Sequence, residues 1–385
     1  MKIGHLNSSM ICFILFSPLR GHYYFRFYRN FIALSISLFQ KFLASHPLNR
    51  YDKFMIGLSA KNVRKALRDA LLPALGALFF AAFYIFMAAG GPAFGNSPGT
   101  LKVMNTIFPL QEFAGAVGGD KVQAELLLPP GAEAHNWEPK PSDFGKIAKA
   151  DVFICIGPMM EPWAAKVLKA VNNPRLSVVE VSSGLALLEA KEPEADSKHP
   201  PRGPAERYLD PHLWLDFSLD AKILDSIARV FGERDPAQAP FYRDRAEAYK
   251  QRLADLDRAY RKNLAVCQRR QIIIGGHSAF AYLARRYDLE QVALYGLSPN
   301  AEPTPKKLAG VIETARQNRA KYIFFEAFVN SKLAQVLAKE AGIGTLVLHT
   351  GHNLTREQLA KNIGFLDLMK QNLENLARGL DCHGQ

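Results

Sequence analysis

The chain has 385 residues, 48% hydrophobic and 22% charged, an ordinary globular composition with room for two domains. Of its 48 Lys/Arg and 36 Asp/Glu, residues 1–95 hold 11 and 2, which leaves 37 against 34 beyond them; the formal charge of +12 therefore belongs to the N-terminal segment. The remainder has no interleaved basic and aromatic stripe, which excludes a polyanion-binding surface, and four cysteines without CxxC spacing exclude a disulfide framework or a thiolate zinc site.

The N-terminal segment reads as targeting sequence. Lys61, Arg64, Lys65 and Arg68 precede an uncharged apolar run from Leu71 to Gly90, and small residues follow up to Gly95. That order predicts an export signal over 55–95, cleaved near Gly95, with an uncleaved membrane anchor as the rival reading. No cysteine follows the run, so no lipid anchor is expected at that point. Residues 1–54 show no clean period, and translation is expected to begin at Met55, with the upstream stretch a misassigned extension.

Beyond residue 96 short apolar runs alternate with amphipathic segments, the pattern of α/β layers. A strand is predicted over Leu101–Pro109, running into a turn, then the start of a helix over Gln111–Val117 and a strand over Gln123–Leu128, ended by Pro129-Pro130-Gly131. A helix follows over Ser142–Ala150, a buried strand over Val152–Ile156, a helix over Pro162–Val171 and a strand over Leu176–Glu180. The polar, proline-rich stretch Glu189–Arg207 is a surface loop. After Asp210-Pro211-His212 the chain turns helical. In Pro236–Leu264, Tyr242, Ala246, Tyr249, Leu253, Leu256 and Tyr260 recur at spacings of three or four, which predicts one long helix, a stiff spine between two halves. The second half is predicted as strand Gln271–Gly275, helix Ala279–Arg286, strand Tyr322–Phe325, helix Ser331–Ala341, strand Gly344–His349 and a final helix Arg356–Gly379. The expected architecture is an α/β lobe over 96–235, the linking helix over 236–265 and a second α/β lobe over 266–385. Cys155 reads as a small core residue, and a Cys267–Cys382 bridge is compatible with export.

Three histidines stand where strands or loops end. His135 follows Pro129-Pro130-Gly131, His212 follows Asp210-Pro211, and His277 closes the run Ile272-Ile273-Ile274-Gly275-Gly276. In open α/β sheets, ligands bind outside the carboxyl ends of the strands. Imidazole nitrogen suits zinc, and three histidines with a fourth position make a tetrahedral site. Asp210, Asp216 and the glycines before His277 could orient the rings, and Glu326, at the end of a strand, could stand behind a ligand without being one. Taken singly, each histidine also has an ordinary reading as a loop or core residue.

The motifs around these histidines carry a family resemblance over residues 101–380. His135-Asn136-Trp137-Glu138-Pro139 with Pro141-Ser142-Asp143, Gly157 with Glu161-Pro162-Trp163, Asp210-Pro211-His212-Leu213-Trp214-Leu215-Asp216, His277-Ser278-Ala279-Phe280 and Phe325-Glu326 together resemble the substrate-binding proteins of zinc and manganese ABC importers. The resemblance implies two lobes with the metal in the cleft between them, His135, His212 and His277 as ligands, delivery to a membrane permease, and a monomer located outside the cytoplasm. A histidine at the third position is similar to the zinc branch, a glutamate to the manganese branch, so His277 favours zinc. The family's fourth ligand, often an Asp, is matched here by Leu348-His349-Thr350-Gly351-His352; His349 falls at that place, with water as the alternative filler and His352 a weaker candidate. The loop around His199 is expected to capture little metal itself. No catalysis is expected; the rivals are a manganese or iron(II) carrier and a zinc hydrolase with Glu326 as its base. Against the hydrolase stands the lack of His-Glu-x-x-His.

Overall fold

Each described strand is only four or five residues long, and two of the central ones hold buried apolar runs, Val152–Cys155 and Ile272–Ile274. Such continuous apolar runs, without alternation, fit parallel sheets covered on both faces. The computed structural model describes residues 99–189, 209–297, 304–327 and 331–382. These lie in one compact unit that begins at Gly95. The expected signal or anchor over 55–95, the upstream stretch 1–54 and nearly all of the loop 189–207 with His199 fall outside the described residues.

The first lobe holds strands β1 (Leu101–Asn105), β2 (Val122–Leu126), β3 (Val152–Cys155) and β4 (Ser177–Glu180), in the order β2-β1-β3-β4, all parallel. Helices α1 (Phe108–Gly118), α2 (Pro141–Ala148) and α3 (Ala164–Val171) connect them. The second lobe repeats the pattern with β5 (Gln271–Ile274), β6 (Glu290–Ala293), β7 (Tyr322–Phe325) and β8 (Gly344–Val347), in the order β6-β5-β7-β8. Its helices are α6 (Ala281–Arg286), α7 (Pro305–Gln317), α8 (Ser331–Ala341), α9 (Arg356–Ala360) and α10 (Phe365–Gly379). In each sheet the connections leave the first strand toward opposite sides. The β1/β3 and β5/β7 gaps are therefore the switch points where such folds open a binding crevice at the carboxyl ends.

Between the lobes run α4 (Phe217–Arg234) and α5 (Ala239–Leu264). At 26 residues α5 is about 39 Å long at 1.5 Å per residue. Its buried stripe is Tyr242, Ala246, Tyr249, Leu253, Leu256, Tyr260 and Leu264, the periodicity read in the sequence with one residue added. The helix packs on α1 and α4 of the first half and on α10 of the second. Tyr249 Oη donates to Glu112 Oε1 of α1 (2.5 Å), and Tyr260 Oη donates to the Met369 carbonyl of α10 (2.5 Å). The spine is therefore bonded to both lobes.

Two differences from the sequence reading have local causes. The final helix is broken into α9 and α10, because Asn362 adopts a left-handed conformation (φ 52°) and Gly364 then starts α10. Strand β6 and helix α7 went unread: Glu290-Gln291-Val292-Ala293 is short and half polar. Cys267 and Cys382 form a disulfide, and Cys155 is buried and free. Among the described residues no helix is long and apolar enough to cross a membrane.

Candidate metal centre

His277 is placed by the end of a strand. After β5 the chain passes through Gly275 and Gly276, and Gly275 N still donates to Phe324 of β7 (2.8 Å). Glu326 stands just past the end of β7, the neighbouring strand. Its Oε1 accepts from the His277 backbone N–H (2.8 Å), and its Oε2 lies 2.7 Å from His277 Nδ1. A Cβ at position 276 would collide with this carboxylate, so the second glycine is what lets Glu326 reach the ring. His277 is fully buried and Glu326 nearly so. With Nδ1 turned to Glu326, the ring presents Nε2 to the cleft.

His212 is held in the same way from the first half. Asp210 Oδ1 accepts from the His212 backbone N–H (2.9 Å) and lies 2.8 Å from Nδ1. Burial pushes the Asp210 carboxyl up to about 7 against the hydrogen bond from the His212 N–H. The next residues form a buried turn, Leu213–Leu215, and Asp216 caps α4 by accepting from Ser218 N (2.9 Å). His135 is only half-buried and sits on the loop after β2, in a short turn over Ala134–Asn136. Glu133 Oε1 accepts from its backbone N–H (3.2 Å).

The three rings converge on one point. His212 Nε2 lies 3.1 Å from His135 Nε2 and 3.1 Å from His277 Nε2, and the nitrogens of all three lie within 4.8 Å of one another. Nitrogens bound to one tetrahedral zinc at 2.0–2.1 Å are about 3.3 Å apart. The carboxylates fix the chemistry of the convergence. Asp210 and Glu326 stand on the Nδ1 side of His212 and His277, which favours the tautomers whose Nε2 lone pairs face the convergence point. A cation placed there is ligated by those lone pairs. Electrostatics agree. Burial, reinforced by the neighbouring rings, pushes His135 and His212 well below their usual value. His277 is also opposed by burial, but Glu326, then Glu133 and Asp210, raise it.

His349 is not brought to this point. Its backbone N–H donates to Asn372 Oδ1 of α10 (2.7 Å), its carbonyl accepts from Asn372 Nδ2 (2.7 Å), and its side chain hydrogen-bonds Gln371. Three residues further on, His352 is buried beside the cluster. Its Nδ1 lies 2.7 Å from Thr350 Oγ1 and its Nε2 lies 3.4 Å from Glu133 Oε2. Its charge couples to all three clustered histidines. The loop after β8 thus brings His352, rather than His349, beside Glu133 and close enough to the clustered histidines to couple with their charge. Glu133 went unread in the sequence, although it stands only two residues before His135.

Glu161 explains another of the motifs. It is buried under the carboxyl ends of β1 and β3, accepting from Thr106 Oγ1 (2.5 Å), Gly157 N (2.9 Å) and Ile156 N (3.3 Å), and burial raises its carboxyl to about 7. It closes the strand ends below the cleft.

The sequence model of the family described as "Zinc-uptake complex component A periplasmic" matches residues 103–379. The high-affinity zinc uptake system protein ZnuA of Bacillus subtilis is 34% identical over 310 residues, 79% of this chain and 97% of that protein. The zinc-binding lipoprotein AdcA of Streptococcus pneumoniae is 33% identical over 290 residues; it is longer, and the chain spans 58% of it. The solved Zn(II)-bound ZnuA-like domain of that AdcA superposes with a TM-score of 0.63 at 32% identity, covering 74% of this chain and all of the domain. With the same two-lobed fold and a match over most of its length, the chain belongs to the family of periplasmic zinc-uptake complex component A proteins.

Proposed function

We propose that this protein captures Zn²⁺ outside the cytoplasm on Nε2 of His135, His212 and His277 and hands it to an ABC-type importer. The observation that carries the reading is the convergence of three imidazoles, two of them with Nδ1 fixed on buried carboxylates. The function agrees with the names of the relatives, a zinc uptake protein and zinc-binding lipoproteins. Zinc sits between the lobes 96–235 and 266–385, with the helix 236–265 as their common support. The fourth position goes to His352 or to a water held by Glu133, in place of the expected His349. An all-imidazole set suits zinc better than manganese or magnesium, which take oxygen donors. The partner is a membrane permease with its ATPase, and the binding protein acts as a monomer.

A hydrolytic reading needs a free base on the open face of the metal. Glu326 has one oxygen on the His277 N–H and the other beside Nδ1, so it is engaged in orienting the ligand. Titration tests the assignment. Zinc binds 1:1, perturbs the emission of Trp214, whose ring lies 5.4 Å from that of His212, and is not displaced by equimolar manganese. Displacement by manganese, or turnover of ester or peptide substrates that is lost in Glu326→Gln, overturns the reading.

Acid weakens binding in a defined order. Zinc needs neutral imidazoles. The His277 pKa is raised above 6.5, so its protonated form accumulates first as pH falls, while His135 and His212 stay neutral to below 6.5. Zinc affinity measured against pH therefore begins to fall above pH 6.5, where His277 gains its proton, and falls further below it. Affinity that stays level down to pH 6.5 contradicts the ordering.

A further inference from the structure

His135 differs from the other two ligands in how it is held. His212 and His277 have their rings on buried carboxylates, whereas His135 lies on a half-buried loop whose geometry is set by the turn before it. In that turn Ala132 N donates to the Pro129 carbonyl (3.0 Å), and Gly131 takes φ +82°, the third position of a type II turn after Pro130. The turn is bonded to the other lobe. Gly131 N donates to the Leu354 carbonyl (2.9 Å). Asn353, nearly fully buried, spends both of its amide hydrogens on the turn, donating from Nδ2 to the carbonyls of Pro129 and Ala132 (2.8 Å each). Its Oδ1 accepts from Leu354 N (2.8 Å), which fixes the amide plane.

The same strap makes two further bonds across the cleft. Phe108 N at the start of α1 donates to the His352 carbonyl (2.9 Å), and Trp214 Nε1, two residues past His212, donates to the Thr350 carbonyl (2.7 Å). Residues 350–354 follow β8 of the second lobe, yet their polar groups serve the first. Of the groups that residues 350–354 contribute, the Asn353 side chain is the one a substitution can remove, and it grips the carbonyls at both ends of the turn that leads into Glu133, Ala134 and His135.

We propose that Asn353 is the positioning residue for His135: from the second lobe it fixes the first-ligand turn and so sets the reach of His135 to the metal point. The inference rests on the zinc reading of the three-histidine site. Its consequence is that the affinity contributed by His135 depends on the strap staying docked. Undocking Asn353 from the turn withdraws one ligand while Asp210 and Glu326 still orient the other two, which gives release a first step.

The test is a double-mutant cycle on the purified protein, with zinc affinity read by competition with a chromophoric chelator and folding checked by circular dichroism. Asn353→Ala and the isosteric Asn353→Asp, which lacks the N–H donors, should each weaken zinc about 10- to 100-fold, the range seen for residues that orient ligands. In a His135→Ala background the same changes should cost less than about 2-fold, because their effect runs through the missing ring. Unchanged affinity in a folded Asn353 variant overturns the inference, and so does an equal loss in both backgrounds, which marks a general structural role. If Asn353→Ala does not fold, Asn353→Asp carries the cycle. If His135→Ala alone leaves the affinity intact, it is the zinc reading itself that fails.

Discussion

Replacing His212 with Ala weakens zinc binding by more than about 100-fold, beyond the roughly 10- to 100-fold that loss of an orienting residue costs. His212 is the hub of the cluster, with its Nε2 3.1 Å from both His135 and His277. Its removal takes away a ligand and leaves Asp210 buried beside an empty space, a carboxyl already raised to about 7 by burial. The protein should still fold, because Leu213, Trp214 and Leu215 keep the adjoining turn in the core. Competition with a chelator measures the loss; affinity within about 3-fold of the unmodified protein removes His212 from the site.

The second large effect falls on stability. Cys267 follows α5 and Cys382 follows α10, and the bridge closes a span of 115 residues that contains the second lobe. In the chain-entropy account a loop of about 100 residues contributes about 4.7 kcal/mol, and native bridges typically contribute 2–5 kcal/mol. Replacing both cysteines with alanine should therefore lower the Tm of the metal-free protein by roughly 10 °C. Main-chain bonds from Arg269 N to Leu380 O (3.1 Å) and the Arg269–Asp381 ion pair (2.7 Å) keep the terminus docked, and zinc affinity should change by less than about 2-fold. An unchanged Tm, read by calorimetry, contradicts this role. A bridge of this kind also fits an exported protein.

The sequence carried the fold wherever periodicity carried it. The tyrosine and leucine stripe of α5, the apolar β3, the Ile272–Ile274 run of β5 and the glycine pair before His277 could each be read locally, since burial selects their residue types position by position. What escaped was set by contacts across long stretches of chain. Where His349 and His352 stand depends on how the loop after β8 turns, with Asn372, on α10, taking the His349 main chain and His352 facing Glu133. The role of Asn353 depends on partners 221 and 224 residues away. Glu326, legible as a strand-end residue able to stand behind a ligand, has a partner that was not legible, His277, 49 residues away. The break between α9 and α10 did have a local mark, Asn362 and Gly364, but it lay inside an otherwise continuous helical pattern.

Crystals of the zinc-loaded protein, measured across the zinc absorption edge, locate the ion. One anomalous peak is expected at about 2.0–2.1 Å from Nε2 of His135, His212 and His277, with His352 or a water beside Glu133 completing the tetrahedron. A peak on His349, or one that leaves out any of the three clustered histidines, would contradict this placement.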